Sequence, residues 1–268
     1  VDVSLVNSNN ELNIDQFKAW QPEFKNAEFI MNKVFKVDRE VQKMSKSKFN
    51  VVNPDDICDN YGADTLRLYE MFLGPIEQSK PWNTNGISGV YNFLNKVWRL
   101  FFNDNELVIS ESEPDKESLK ALHGTIKKIN KDIESFSFNT CVSALMILVN
   151  KLNEIKCHSR TVLEDLIVLL SPFAPHISEE LWNVLGHDNS IADEEYPVHN
   201  PKYLIETEKK YPVSVNGKLK YQIVLPLGIS QEKVENILKN DQSVIDIIND
   251  REIKKIIFVP NKIINIVC

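Results

Sequence analysis

The sequence predicts a mainly helical fold, in which an antiparallel helical bundle lies between a small N-terminal α+β segment and a small C-terminal α/β domain. Three observations support this prediction. Apolar residues between positions 86 and 186 recur with the helical period of 3.6, in five blocks separated by breakers. Beyond position 210 the period changes to two, and residues 1 to 42 mix short apolar runs with Asn, Asp and Pro.

Two short helices precede the five blocks. Acidic residues favour a helix start at Asp55, and Gly62 ends that helix. A second helix runs from Asp64 to Leu73 and stops before a Gly-Pro pair. The apolar stripes of the five blocks cover residues 90–101, 119–133, 142–152, 162–170 and 177–185. Short connections between amphipathic helices place neighbours side by side, so we expect antiparallel packing.

Both flanking parts contain hairpin signals. In the N-terminal segment, the apolar runs around Asn32-Lys33 predict a hairpin. In the C-terminal domain, Asn216-Gly217 separates two alternating runs, and both central residues of a type I′ turn need a positive φ. Helices after Ser230 and Asp241, followed by strands at 256–259 and 263–267, complete the C-terminal prediction.

Composition places the chain among ordinary globular proteins. Of its 268 residues, 43% are hydrophobic and 26% charged, and no apolar run reaches the roughly 18 residues that a membrane span needs. No signal-peptide pattern opens the chain, so we expect a cytoplasmic protein without membrane contact. The four cysteines are scattered without a Cys-x-x-Cys pair, which indicates neither a metal site nor a disulfide framework. Since no Met begins the sequence, we expect a fragment.

The net charge of −7 argues against a protein that binds nucleic acid through its bulk charge. Contact with a polyanion must then be local. The candidate cation clusters are Lys43, Lys46 and Lys48; Lys96 and Arg99; and Lys127, Lys128 and Lys131. For the last two clusters, an ordinary solvated face is an equally good interpretation.

One pentapeptide indicates chemistry. Lys43, Met44, Ser45, Lys46 and Ser47 spell KMSKS, and a chance match to five fixed residues is rare. Two lysines three residues apart on a short loop can both reach one polyphosphate, and the small serines let the backbone approach it. Fixed cations that face a departing pyrophosphate lower the barrier to its release. The motif resembles the second signature of class I aminoacyl-tRNA synthetases.

The resemblance extends beyond the motif. Residues 53–55 and 61–67 are similar to the stem-contact segment that follows KMSKS in the synthetases for Leu, Ile, Val and Met. There Gly62 and Asp64 set the turn and cap, and Arg67 is a structural or backbone-binding cation. Residues 171–176 with 179–182 resemble a signature of the anticodon-binding helical domain, in which we expect a packing or capping role for His176.

The C-terminal domain separates the members of this group. Residues 213–226 resemble the terminal domain of bacterial leucyl-tRNA synthetases, and neither the coiled coil of valyl enzymes nor the cysteine zinc site of isoleucyl enzymes is present. Two alternatives remain open: an isoleucyl, valyl or methionyl synthetase with an unusual tail, and a non-catalytic tRNA-binding module.

The resemblance implies four parts, which are residues 1–83 (end of the catalytic core, with KMSKS and stem contact), 84–188 (anticodon-binding bundle), 189–210 (linker) and 211–268 (tRNA-binding α/β domain). It implies ATP and Mg²⁺ as cofactors, leucine and tRNA(Leu) as partners, and a monomer. Lys46 and then Lys43 are the expected catalytic residues, within an ATP-binding set of 43–47. The His-x-Gly-His signature of the nucleotide-binding core is absent from the sequence, so we expect no aminoacylation by the chain alone.

The residues expected to contact tRNA are Lys48, Arg67, Lys96, Arg99, Lys218 and Lys220. The resemblance suggests that the bundle packs along the inside of the tRNA and that the terminal domain meets its elbow. Lys218 and Lys220 occupy alternate positions of one strand, which predicts that both face the same side of the sheet. An exposed strand face that only improves solubility is an equally good interpretation.

Overall fold

The structure is a computed structural model, and it describes residues 1–30, 34–205, 208–248 and 251–268. The chain consists of two compact units, Val1–His199 and Asn200–Cys268. Within the described residues there are ten α-helices and two small sheets. No helix in this part of the chain is long and apolar enough to cross a membrane.

The first unit begins with an irregular segment that contains helix α1 (Ile14–Trp20), which is capped by the Asn13 side chain. The Asn32-Lys33 turn of the predicted hairpin lies outside the described residues. Residues on both sides of it form no strand; instead, the Leu12 N–H donates to the Phe35 carbonyl over 2.9 Å. The prediction of a hairpin is therefore wrong for the two strands, at residues 28–30 and 34–37. Packed aromatic rings organise this segment, namely Phe17, Trp20, Phe24, Phe29 and Phe35.

Two short helices follow, α2 (Pro54–Tyr61) and α3 (Ala63–Phe72). Pro54 begins α2, and the Asn53 side chain accepts a hydrogen bond from the Asp55 N–H. Gly62 lies between the two helices with φ 87°, a conformation that glycine adopts without a steric penalty. The structure thus confirms the predicted pair of helices and the stop at Gly62.

All five predicted helical stripes lie in helices, except that Leu185, the last residue of the fifth, follows the end of its helix. These are α4 (Thr84–Phe101), α5 (Lys116–Glu134), α6 (Phe138–Glu154), α7 (Arg160–Leu170) and α8 (Pro175–Val184). A two-residue pair, β1 (Phe102–Asn103) and β2 (Glu106–Leu107), follows α4. The five helices share one apolar core with α2 and α3, because Ile57 and Leu68 belong to the same buried cluster as Leu145 and Leu166.

The second unit is a four-stranded sheet with two helices. Its elements are β3 (Glu208–Val215), β4 (Lys218–Pro226), α9 (Gln231–Lys239), α10 (Gln242–Ile248), β5 (Lys255–Val259) and β6 (Ile263–Val267). The strand order is β4-β3-β6-β5, with β3 and β6 parallel and the other pairs antiparallel. Asn216 and Gly217 have φ of 49° and 78°, which confirms the predicted hairpin. Side chains of β3, β6 and α9 form a core of its own.

Candidate functional site

The KMSKS loop has a defined local form. Ser45 is extended, and Lys46–Lys48 form a 3₁₀ turn that ends at Phe49, whose φ is 52°. The hydroxyl groups of Ser45 and Ser47 lie 2.7 Å apart, within hydrogen-bonding distance. The loop therefore carries Lys43 before the turn and Lys46 at its first position.

Neither Lys43 nor Lys46 has an ion pair or side-chain hydrogen bond within the residues that the structure describes, and both are exposed. The Lys48 ammonium group, by contrast, donates to the Gln42 side-chain oxygen. Two uncompensated positive charges on one short loop form a suitable contact for a polyphosphate. The structure thus leaves both motif lysines exposed on the loop and gives Lys48 a partner of its own.

Sequence reasoning missed two residues at this loop. The Asn50 side chain accepts a hydrogen bond from the Ser45 N–H over 2.8 Å and donates to the Lys43 carbonyl over 3.3 Å. The Phe49 ring meets the Trp20 ring edge to face at 4.7 Å. Asn50 lies two residues after the last lysine of this stretch, Lys48, and that position is a weak signal. Nothing in the local pattern indicates that Trp20, far upstream, contacts the loop.

The segment with the predicted stem contact, residues 53–67, is joined to the α7–α8 connection. Nε and Nη2 of Arg67 donate to the Pro172 carbonyl over 3.1 and 2.9 Å. The buried Asp64 carboxylate accepts hydrogen bonds from the backbone N–H groups of His176 and Ile177 and contacts His176 Nδ1. The cap predicted for Asp64 therefore acts on the start of α8, while Gly62 occupies the N-cap position of α3.

The outer face of α4 contains both basic and aromatic side chains. Lys96 and Arg99 are exposed, and Lys96 Nζ donates to Asn150 Oδ1 over 2.8 Å. Trp98 is also exposed and stacks on Phe102, with ring centroids 4.6 Å apart. Residues 78–103 contain no Asp or Glu, although the chain as a whole has a net charge of −7. This stretch of α4 therefore combines positive charge with an exposed aromatic side chain.

Other predicted cations are placed differently. Lys128 forms an ion pair of 2.7 Å with Asp132. In the second unit Lys218 and Lys220 are both exposed, but a register shift leaves Lys220 without a cross-strand partner, since Leu219 pairs with Ser214 and Tyr221 with Val213. This bulge interrupts the alternation on which the predicted shared face of the two lysines depended.

Two regions of the chain match models of known protein families. A family model described as "tRNA synthetases class I (I, L, M and V)" matches residues 21–80, and one described as "Anticodon-binding domain of tRNA ligase" matches residues 115–237. In these two separate regions the chain is therefore similar to class I aminoacyl-tRNA synthetases.

Within that class, the chain is similar over its whole length to leucine–tRNA ligases. It is 57% identical to that of Flavobacterium johnsoniae and 52% identical to that of Cytophaga hutchinsonii, with all of this chain matched in each case. It spans 28% and 29% of the length of these two relatives. A solved LeuRS of Agrobacterium radiobacter K84, in a ternary complex with tRNA and LeuAMS, is 32% identical with a TM-score of 0.57; the match covers 84% of this chain and 31% of that chain.

Proposed function

We propose that this chain forms part of a leucine–tRNA ligase, which joins leucine to tRNA(Leu) at the expense of ATP through a leucyl-adenylate. In this proposal the chain supplies the KMSKS loop and the tRNA-binding regions. The observation that carries it is a pair of exposed lysines, Lys43 and Lys46, that have no partner among the described residues. They lie on a KMSKS loop in a chain similar throughout to leucine–tRNA ligases.

The proposed chemistry is a displacement at phosphorus. A leucine carboxylate oxygen attacks the α-phosphorus of ATP, the bond from that phosphorus to the bridging oxygen breaks, and pyrophosphate leaves with the electron pair. Negative charge grows on the leaving group in the transition state. Lys46, with Lys43 beside it, neutralises that charge, and a single fixed contact of this kind is commonly worth about 3 to 4 kcal/mol.

ATP fits this loop better than a metal ion does. The two ammonium groups match the charge of its phosphates, and Ser45 and Ser47 add hydroxyl donors. Mg²⁺ prefers carboxylate oxygens and phosphates as ligands. No group of three or more His, Cys, Asp or Glu side chains in the described ranges is placed to hold a metal ion. We therefore assign no step to Mg²⁺ on this chain.

For tRNA, we propose that helices α4 to α8 form the antiparallel bundle of the anticodon-binding domain and that the acid-free face of α4 contacts the phosphate backbone through Lys96 and Arg99. The similar LeuRS of Agrobacterium radiobacter was solved in complex with tRNA, which supports this partner. The terminal domain meets the tRNA elbow in the same proposal. A monomer in the cytoplasm remains our prediction for the whole protein.

The test uses the full-length ligase and measures leucine-dependent ATP–pyrophosphate exchange. Replacing Lys46 by Ala is expected to lower the exchange rate at least about 100-fold, because the charge on pyrophosphate loses its main contact. Lys48→Ala is the matched control, since that ammonium group donates to Gln42; we expect a change of about twofold or less. An unchanged rate in Lys46→Ala would contradict the proposed function.

A further inference from the structure

We propose that Phe49, Trp20 and Asn50 are positioning residues that hold the KMSKS loop so that Lys43 and Lys46 face the ATP polyphosphate. We call these three residues the loop clasp. The inference rests on the proposed function, because it assigns a role in the same step to residues outside the motif.

The backbone at Phe49 requires an explanation. Its φ of 52° lies in the left-handed region, which is uncommon for a bulky residue. Phe49 ends the 3₁₀ turn that carries Lys46, since the Phe49 N–H donates to the Lys46 carbonyl over 3.2 Å. A strained residue at a functional loop persists only when its surroundings hold it in place.

Two contacts hold Phe49 in this conformation. Its ring meets the Trp20 ring at 4.7 Å with an interplanar angle of 85°, an edge-to-face arrangement that aromatic pairs favour. Its carbonyl accepts a hydrogen bond from the Val3 N–H over 3.2 Å. Trp20 is itself fixed by Phe24 and Phe17, with ring centroids 5.9 and 6.2 Å away. The loop therefore ends on a packed aromatic base.

Asn50 fixes the other side of the loop. Its side-chain oxygen accepts from the Ser45 N–H and its side-chain nitrogen donates to the Lys43 carbonyl. One amide group thus bridges two backbone positions of the motif. Lys43 and Lys46 then project from a backbone that is fixed at three points, while their ammonium groups stay exposed and without partners in the described residues.

Preorganised charges contribute more to catalysis than mobile ones, because little conformational freedom is lost when the substrate binds. Removing the clasp is therefore expected to lower the efficiency with which the enzyme uses ATP and to leave leucine binding unchanged. This division separates a positioning role from a general contribution to folding. The ring contact with Trp20 also explains why position 49 carries a phenylalanine, although a glycine would adopt the same φ without a steric penalty.

The experiment measures leucine-dependent ATP–pyrophosphate exchange in the full-length ligase. We expect Phe49→Ala, Phe49→Gly and Trp20→Ala each to lower kcat/KM for ATP about tenfold, with KM for leucine within about twofold. The Trp20→Ala/Phe49→Ala double variant should be no worse than either single variant, since both remove one contact. Phe49→Tyr keeps the aromatic ring and should exchange at the rate of the natural protein.

The matched control is Phe136→Ala. Phe136 is also an exposed phenylalanine with a positive φ, 54°, and an edge-to-face partner, Phe138, but it lies between α5 and α6. We expect exchange within about twofold of the natural protein for this variant.

Three results would overturn the loop clasp: exchange within about twofold in Phe49→Ala and Trp20→Ala, losses that multiply in the double variant, or a parallel loss of leucine binding. Lys46→Ala keeps this outcome separate from the proposed function. If Lys46→Ala abolishes exchange while Phe49→Ala does not, only the clasp fails. If Lys46→Ala exchanges normally, the proposed function fails.

Discussion

Asp64 on α3 accepts two contacts from His176 at the start of α8, from its backbone N–H at 3.2 Å and from its Nδ1 at 2.8 Å, although 112 residues separate them. The second carboxylate oxygen accepts from the Ile177 N–H over 2.7 Å. One buried side chain therefore satisfies two N–H groups that the first turn of α8 cannot pair internally.

Replacing Asp64 by Ala is expected to lower the free energy of unfolding of the first unit by about 2 kcal/mol, since a helix cap is lost and buried N–H groups are left unpaired. Urea unfolding followed by circular dichroism measures the change. Asp59→Ala, an exposed carboxylate on α2, is the control and should change stability by less than about 0.5 kcal/mol. Equal stability of the two variants would show that Asp64 is not the cap of α8.

Two glycines of α4 should respond to alanine in opposite directions. A Cβ at Gly86 would lie 2.8 Å from the Tyr69 hydroxyl oxygen, whereas a Cβ at Gly89 would have no described atom within 4 Å. Tyr69 is buried, edge-on to Trp82, and donates to the Asn83 carbonyl, so its ring cannot easily move away.

We expect Gly86→Ala to destabilise the unit by about 1 to 3 kcal/mol through overpacking, and Gly89→Ala to stabilise it by about 0.5 to 1 kcal/mol through helix propensity. Thermal unfolding of both variants checks the signs. A gain in stability for Gly86→Ala would contradict this prediction, because it would mean that the Tyr69 ring moves aside with little loss of free energy.

Local patterns predicted most of the regular structure. The five apolar stripes and the Asn216-Gly217 turn depend on spacing and on turn chemistry, which neighbouring residues determine. The link between Asp64 and His176 depends on tertiary packing, so no local pattern indicates it. The N-terminal segment was predicted less well because ring packing around Phe17, not strand pairing, determines its path.

The candidate site shows the same division. Lys43 and Lys46 follow from the motif alone, because the chemistry requires cations at that spacing. Phe49 and Asn50 do not follow from it. The role proposed for Phe49 rests on its positive φ, which sequence statistics do not favour for Phe, and on its ring contact with Trp20. The role proposed for Asn50 rests on its side-chain hydrogen bond to the Lys43 carbonyl, which only a folded chain provides.

Asp165 on α7 gives a pH-dependent prediction. Desolvation by burial, with the neighbouring charge of Glu164, raises the pKa of its carboxyl group from 3.8 to about 6. The folded state therefore resists ionisation. The resulting loss of stability is absent below pH 3.8, grows as the pH rises toward 6, and is complete above that value.

Replacing Asp165 by Asn is expected to raise the free energy of unfolding at about pH 7.5 by on the order of 1 kcal/mol, and to leave it unchanged near about pH 4. Urea unfolding at both pH values measures the difference. Glu180→Gln, an exposed carboxylate on α8 that does not act on Asp165, is the control and should show no gain at either pH. A gain of the same size at both pH values would rule out ionisation as its cause.

The acid-free face of α4 gives the last prediction, on tRNA. If Arg99 contacts a phosphate, Arg99→Gln should weaken tRNA binding and lower the slope of log K against log salt concentration by about 0.7 to 1, the value for one lost contact. Trp98→Ala should weaken binding with the slope unchanged, because stacking releases no counterion.

Binding of tRNA(Leu) to the full-length ligase at several salt concentrations measures both quantities. Lys25→Gln, an exposed lysine in the N-terminal segment, is the control for the loss of one positive charge far from α4 in sequence. Its slope should remain that of the natural protein, since a charge that touches no phosphate displaces no counterion. If Arg99→Gln and Lys25→Gln shift the slope equally, the contribution of α4 is one of overall charge and the assigned contact is wrong.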